Sequence, residues 1–205
     1  MTERSYRGWL WALALLGLLA DQGTKYGVFH WLYNNGEGGE RAIIPGAFNF
    51  LAQFTPQRDP GNVWQSPLRT LSGDALPRVN HGALFGMAAE RGHLANSIFM
   101  GISFVAATAI LFWSTRRKQT TDWLLCVALG LILGGTLGNL YDRAVFHGVR
   151  DFLHWYYIYD WPVFNIADVC LVVGAFLLMV QAIFMQPALT QETTPPVEAE
   201  PAAIE

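Results

Sequence analysis

Apolar residues in this chain are gathered into long blocks separated by polar stretches, rather than spread at the spacing of an amphipathic soluble core. Three blocks, roughly Asn96 to Trp113, Trp123 to Tyr141 and Val163 to Met185, hold no Lys or Arg. Each is about 18 residues or longer, which suits a helix crossing a bilayer. A fourth, Gly8 to Ala20, is too short alone. Continued through Asp21, Thr24 and Lys25 to about Trp31, it predicts a full crossing that carries one acid and one base, four residues apart and able to pair on one face. The pattern therefore predicts an all-α membrane protein built as a four-transmembrane-helix bundle. Between the first two spans, Ala42 to Phe54 places Ile43, Ile44, Phe48 and Phe50 around a Pro45-Gly46 break, which predicts short strands lying at the membrane surface. Pro56 to Arg78, with four prolines and two glycines, reads as an irregular loop or small hairpin.

Composition supports the membrane reading and charge orients it. Of 205 residues, 52% are hydrophobic and only 14% charged, a balance suited to lipid-facing helices. Arg4 and Arg7 precede the first span, and Arg116, Arg117 and Lys118 join the second to the third. Short basic loops stay in the cytoplasm, so both termini are expected there, and the segments 33–94 and 142–162 are expected outside. Gly8 to Ala20 also has the form of a signal-peptide apolar region behind Arg4 and Arg7, but Leu18 stands where a small residue is needed before a cut after Ala20. Residues 186–205 are rich in Pro, Thr, Glu and Ala with few large apolar side chains, which predicts a disordered cytoplasmic tail behind a membrane domain spanning 1–185. Cys126 and Cys170 fall within apolar runs and read as packing residues. The five histidines fit no standard zinc spacing, and nothing in the basic residues suggests nucleic acid, so neither metal nor cofactor is expected.

The chemistry gathers at the outer ends of the last two spans. An acid at the centre of a membrane helix costs about 2.5–3.5 kcal/mol on insertion scales, and Asp168, near the end of its run, still needs water or a partner. No Lys or Arg lies within two turns of it. Asn165 shares its face at i, i+3, while Asn139, Asp142 and Arg143 share a face near the end of the third span. Asp151 lies between these clusters. Two carboxylates brought together share a proton, so that one acts as an acid and the other as a base, the chemistry of aspartyl proteolysis. Asn139, Arg143 and Asn165 are expected to hold a peptide or orient the acids, and the more embedded Asp168 to hold the shared proton more often. Asp142 also reads as the partner of Arg143 in an ion pair anchoring a helix end. Spacing does not choose between Asp142 and Asp151 as partner of Asp168.

Four motifs in order resemble those of the bacterial lipoprotein signal peptidases (signal peptidase II, the aspartyl peptidases of family A8): Asp21-Gln22-Gly23-Thr24-Lys25; Asn80-His81-Gly82-Ala83-Leu84-Phe85; Gly138-Asn139-Leu140-Tyr141-Asp142-Arg143 with Val149-Arg150-Asp151-Phe152; and Phe164-Asn165-Ile166-Ala167-Asp168. The resemblance implies that Asp151 and Asp168 form the catalytic dyad, that Asn80, Asn139, Arg143 and Asn165 line the site, and that Asp21 and Lys25 are structural or lipid-facing. It implies an inner-membrane endopeptidase acting at the extracytoplasmic face. Its substrates would be diacylglyceryl-modified prolipoproteins, cut before the lipidated cysteine, with membrane lipids as surroundings and the cyclic peptide globomycin as inhibitor. A small extracytoplasmic β-cradle and a periplasmic helix are implied beside the bundle, and a monomer is expected. Leu84 replaces a usual small residue, and residues 56–78 resemble an insertion. A prepilin- or presenilin-like protease wants a G-x-G-D in a span, and none is present. A proton-coupled small transporter or assembly factor would use Asp168 and Asp142 without any cleavage.

Overall fold

The computed structural model describes residues 5–58, 69, 75–82, 92–116 and 120–184. The tail 186–205, Leu84 and most of the stretch 56–78 lie outside the described residues. Four helices dominate: α1 (Arg7–Trp31), α2 (Gly92–Thr115), α3 (Trp123–Phe146) and α4 (Ile166–Phe184). Three of them, over Leu94–Thr115, Trp123–Phe146 and Ile166–Phe184, are long and apolar enough to cross a membrane. The exposed faces of α2 and α4 carry Phe104, Val105, Phe112, Val172, Phe176 and Met179, side chains that a bilayer solvates and water does not. The expected continuation of the first apolar block through Asp21 and Lys25 is seen as one unbroken helix of 25 residues. Helix α3 runs past its expected end at Tyr141 to Phe146, because Asn139 and Asp142 in its last turns are satisfied inside the protein.

Helix α3 is central, with α1 on one side and α4 on another, and its glycines explain how closely they approach. Gly130, Gly134 and Gly138 recur every fourth residue and meet Leu10, Ala14, Gly17 and Asp21 of α1. A methyl at Gly134 would stand 2.8 Å from the Ala14 carbonyl oxygen, and one at Gly130 would stand 2.7 Å from that of Leu10. Small residues at this spacing bring helix backbones together where no water drives association. Leu10, Ala14, Ala107, Ile110, Cys126 and Leu133 form the core beside this seam. Asp122 caps α3 by accepting from the Leu125 N–H at 3.0 Å, and Gln181 of α4 donates to its other oxygen at 3.0 Å.

Strands β1 (Gly39–Ile44), β2 (Phe48–Ala52) and β5 (Leu153–Trp155) form an antiparallel sheet in the order β1-β2-β5. The β1-β2 turn falls at the expected Pro45-Gly46 break, where Gly46 takes φ 77°. A second, two-stranded antiparallel sheet pairs β3 (Phe54–Arg58) with β4 (Ala75–Pro77), so the ends of the expected loop are held together. Outside α1–α4, Arg69 is the only α-helical residue among the described ones, and the periplasmic helix that the resemblance implied otherwise lies outside the described residues. Val28 and Phe29 at the end of α1 pack with Ala52, Phe152 and Leu153, and this aromatic cluster seats the larger sheet on the bundle. The sheet thereby fixes residues 148–152. Val149 exchanges two backbone hydrogen bonds with Asn80, at 2.7 and 2.9 Å, and Leu153 pairs with Phe164.

Candidate active site

Asp168 is the third residue of α4, and its position follows from how that helix begins. The Asn165 side chain accepts from the Asp168 backbone N–H at 3.0 Å, and Asp168 Oδ2 accepts from the Asn165 N–H at 3.2 Å, a reciprocal capping box. Asp151 lies in the extended segment between α3 and β5. The chain turns into that segment at His147, which takes φ 61°. Asn165 joins the two acids, because its amide nitrogen donates to Asp151 Oδ1 at 2.7 Å. The second oxygen of each carboxylate has its own amide. Asn80 donates to Asp151 Oδ2 at 3.0 Å, and Asn139 donates to Asp168 Oδ1 at 2.9 Å.

All three amides are held the same way round. An amide offers two donors at one end and an acceptor at the other, so whichever group takes the oxygen decides what the nitrogen faces. The Asn165 oxygen accepts from the Asp168 N–H, the Asn80 oxygen from the Gly82 N–H at 2.8 Å, and the Asn139 oxygen from the Lys25 ammonium at 3.1 Å. Each nitrogen is left to a carboxylate. Burial pushes the Asp151 carboxyl up to about 6; the donors Asn80 and Asn165 oppose this, the charge of Asp168 adds to it, and that of Lys25 opposes it. Asp151 thus retains a proton well above the usual carboxylate range.

Arg143 makes no hydrogen bond to either carboxylate among the described contacts. Its guanidinium lies 4.8 Å from the Phe99 ring centre and 3.4 Å from Asn96 Oδ1, while its charge acts on both Asp151 and Asp168. The expected Asp142–Arg143 ion pair is not formed. Consecutive helix residues point roughly 100° apart, so Arg143 turns toward α2 while Asp142 turns inward. Asp142 is fully buried and accepts from the Arg150 backbone at 2.8 Å, from Arg150 Nη2 at 2.9 Å and from Gln22 at 3.1 Å. Lys25 lies 3.4 Å from Asp142 and 2.8 Å from Asp21, all three at zero exposure, so neither Asp21 nor Lys25 faces lipid. Asp21 also accepts from the Ala167 N–H at 2.9 Å, tying α1 to the start of α4.

Sequence reasoning assigned no role to Arg150 or Gln22. Arg150 is wholly buried, its guanidinium 4.1 Å from the Tyr26 ring centre and 3.9 Å from that of Phe146. Its place next to Asp151, inside one of the motifs, was the available signal. Beside Asp151 lies an open cleft of about 330 Å³ bounded by Leu51, Gln53, Arg78, Val79, Asn80, Asp151, Pro162 and Val163. This mixture of polar and apolar lining, with the Asp151 carboxyl among it, suits an extended peptide.

A family model described as signal peptidase (SPase) II matches residues 75–184. A lipoprotein signal peptidase of Pseudomonas putida is 32% identical over 174 residues, 83% of this chain and 83% of that protein. One of Cellvibrio japonicus is 29% identical over 198 residues, covering 95% of this chain and 98% of its own. One of Dichelobacter nodosus reaches 39% over 102 residues, 49% of this chain and 65% of that protein, so in such higher-identity matches the chain spans between half and two thirds of the relative. A solved bacterial membrane enzyme superposes with a TM-score of 0.65 at 21% identity over 98% of this chain and 99% of its own, a likeness of fold.

Proposed function

The chain belongs to the signal peptidase II family, and on that premise we propose that it removes signal peptides from diacylglyceryl-modified prolipoproteins, with Asp151 and Asp168 as its acid–base pair. The observation that carries the reading is Asn165, whose single side chain bonds Asp151 while its cap geometry holds Asp168. The carboxyl bearing the proton donates it to the scissile carbonyl oxygen as the other carboxylate takes a proton from the attacking water. The tetrahedral intermediate collapses as a proton passes to the leaving amine, and the peptide bond breaks. The three oriented amides keep the two oxygens facing the reaction while their other lone pairs are occupied. The charge of Arg143 steadies the anion of the dyad and a bound peptide.

In this reading α1 is the fourth crossing, and both termini lie in the cytoplasm. The dyad faces the outer surface of the inner membrane, where the ends of α1, α3 and α4 meet the sheet. The sheet is the cradle for the peptide, globomycin competes for the same cleft, and the enzyme works as a monomer. Residues 1–185 form the peptidase domain and 186–205 a cytoplasmic tail. The proton-coupled transporter reading has no supporting observation, since Asp142 is committed to Arg150 and Lys25. Purified protein incubated with a diacylglyceryl-modified prolipoprotein is expected to shift its mobility in a globomycin-sensitive way. D151N and D168N are each expected to abolish the shift while inserting normally. Normal turnover by either variant overturns the dyad.

A further inference from the structure

We propose that Lys25 is a positioning residue for this reaction, fixing through Asn139 which end of an amide meets Asp168. The role rests on the aspartyl peptidase reading above. Of the three amides at the dyad, two have their oxygens held by backbone N–H groups, which no side-chain substitution removes. The third, Asn139, is held at its oxygen by the Lys25 ammonium at 3.1 Å. That ammonium has three protons and three acceptors around it, Asp21 Oδ2 at 2.8 Å, Asp142 Oδ2 at 3.4 Å and Asn139 Oδ1, so its donors are all engaged. Lys25 is fully buried and Asn139 is 8% exposed, which leaves little water to take over either end.

The two ends of an amide have nearly the same shape, so only their hydrogen bonds decide its orientation. With Lys25 in place, turning Asn139 over would set its NH2 group against an ammonium and its oxygen against Asp168. Without the ammonium, the turned amide offers its NH2 to Asp21 and Asp142, and an oxygen faces Asp168. An oxygen there suits the protonated acid and opposes the ionised one. The groups bearing on Asp168 are Asp151 across Asn165, Arg143 on α3, and Lys25 on α1 with Asp21 and Asp142 behind it. Lys25 is the one among them that holds the oxygen of an amide whose nitrogen donates to Asp168.

The test compares D21N/K25M with D21N/K25Q in the lipidated-precursor assay, measuring kcat and KM against pH. Both double variants remove one positive and one negative charge together, and both side chains have the same length. They differ in whether a donor is left for Asn139, so any shared folding loss drops out of the comparison. D21N/K25M is expected to lower kcat about ten- to a hundredfold, with KM within about twofold. Its rate profile should move to higher pH, and D21N/K25Q should recover part of both effects. Adding N139L to D21N/K25M should cost little more, because the relay is already cut. Equal behaviour of the Met and Gln variants, an unmoved pH profile, or full additivity of N139L overturns the positioning role while leaving the peptidase reading intact. A wild-type protein that fails to cleave overturns both.

Discussion

Replacing Asp142 by Asn tests whether the cluster behind the dyad is a balanced set of buried charges. Asp21 and Asp142 face Lys25 and Arg150, two against two, and all four are at zero exposure. Asp142 Oδ1 lies 2.9 Å from Arg150 Nη2, and its Oδ2 lies 3.4 Å from Lys25. At an effective dielectric of about 20, each contact corresponds to roughly 5 kcal/mol of attraction. Desolvation in the native state offsets much of this, and removing one partner of a buried pair typically costs about 3–5 kcal/mol, because the other charge stays behind. Here two cations stay behind, and the new amide points an NH2 group at one of them. For a chain of this size, D142N should therefore lower the midpoint of thermal unfolding by about 6–20 °C. The assay is unfolding in detergent followed by labelling of Cys126, which is inaccessible in the native fold. D160N is the control. Its pair with His154 is just as short, at 2.7 Å, but Asp160 is 83% exposed, and a shift below about 2 °C is expected. A second control, D142N/R150M, should be less damaging than D142N alone, since it restores the charge balance. If D142N unfolds within about 2 °C of the parent, or D160N proves as harmful, burial is not what gives the cluster its weight.

Two further outcomes follow from the same structure. A methyl added at Gly138 would stand 2.5 Å from Asp21 Oδ2. G138A should therefore push α1 from α3, lose about 1–3 kcal/mol of stability, and slow cleavage by loosening the Asp21 contact with the start of α4; unchanged cleavage and unfolding would refute this. The second concerns pH. Because the folded state lifts Asp151 from its ordinary value near 3.8 to about 6, its protonated form is the one folding favours. That contribution is present below about pH 4 and is lost as pH rises through 6. D151N, which is never charged, should accordingly be more stable than wild type at pH 7–8 and equal to it near pH 4. An advantage that grows toward acid pH reverses the sign and rejects the assignment.

Much of the architecture was legible because it depends on local composition. A block without charges and about 18 residues long forms a helix wherever it finds lipid, and Gly8 to Trp31 proved continuous because Asp21 and Lys25 satisfy each other at i, i+4. The Pro45-Gly46 turn between aromatic runs was visible for a similar reason. So were Asn80, Asn139, Asn165, Asp151 and Asp168 as a group, since their motifs recur in order. The partners of Asp142 were not. Arg143 is its neighbour in sequence but lies a third of a turn away around the helix, whereas Arg150 and Lys25 reach it only after the chain reverses at His147 and α1 packs along the glycine stripe of α3.

By itself the sequence determined where the helices run, which residue types gather at one end of the last two, and that two acids stand near one another. The tertiary structure decided which acid is wrapped in cations and which is left to accept amides. Asp142 is neutralised by Arg150 and Lys25, while among the described residues Asp151 and Asp168 are given only neutral donors by direct contact. Charge pairing in a water-poor interior is set by distances of about 3 Å in space. Residues 25, 142 and 150 share no local period that would reveal such a distance from their order along the chain.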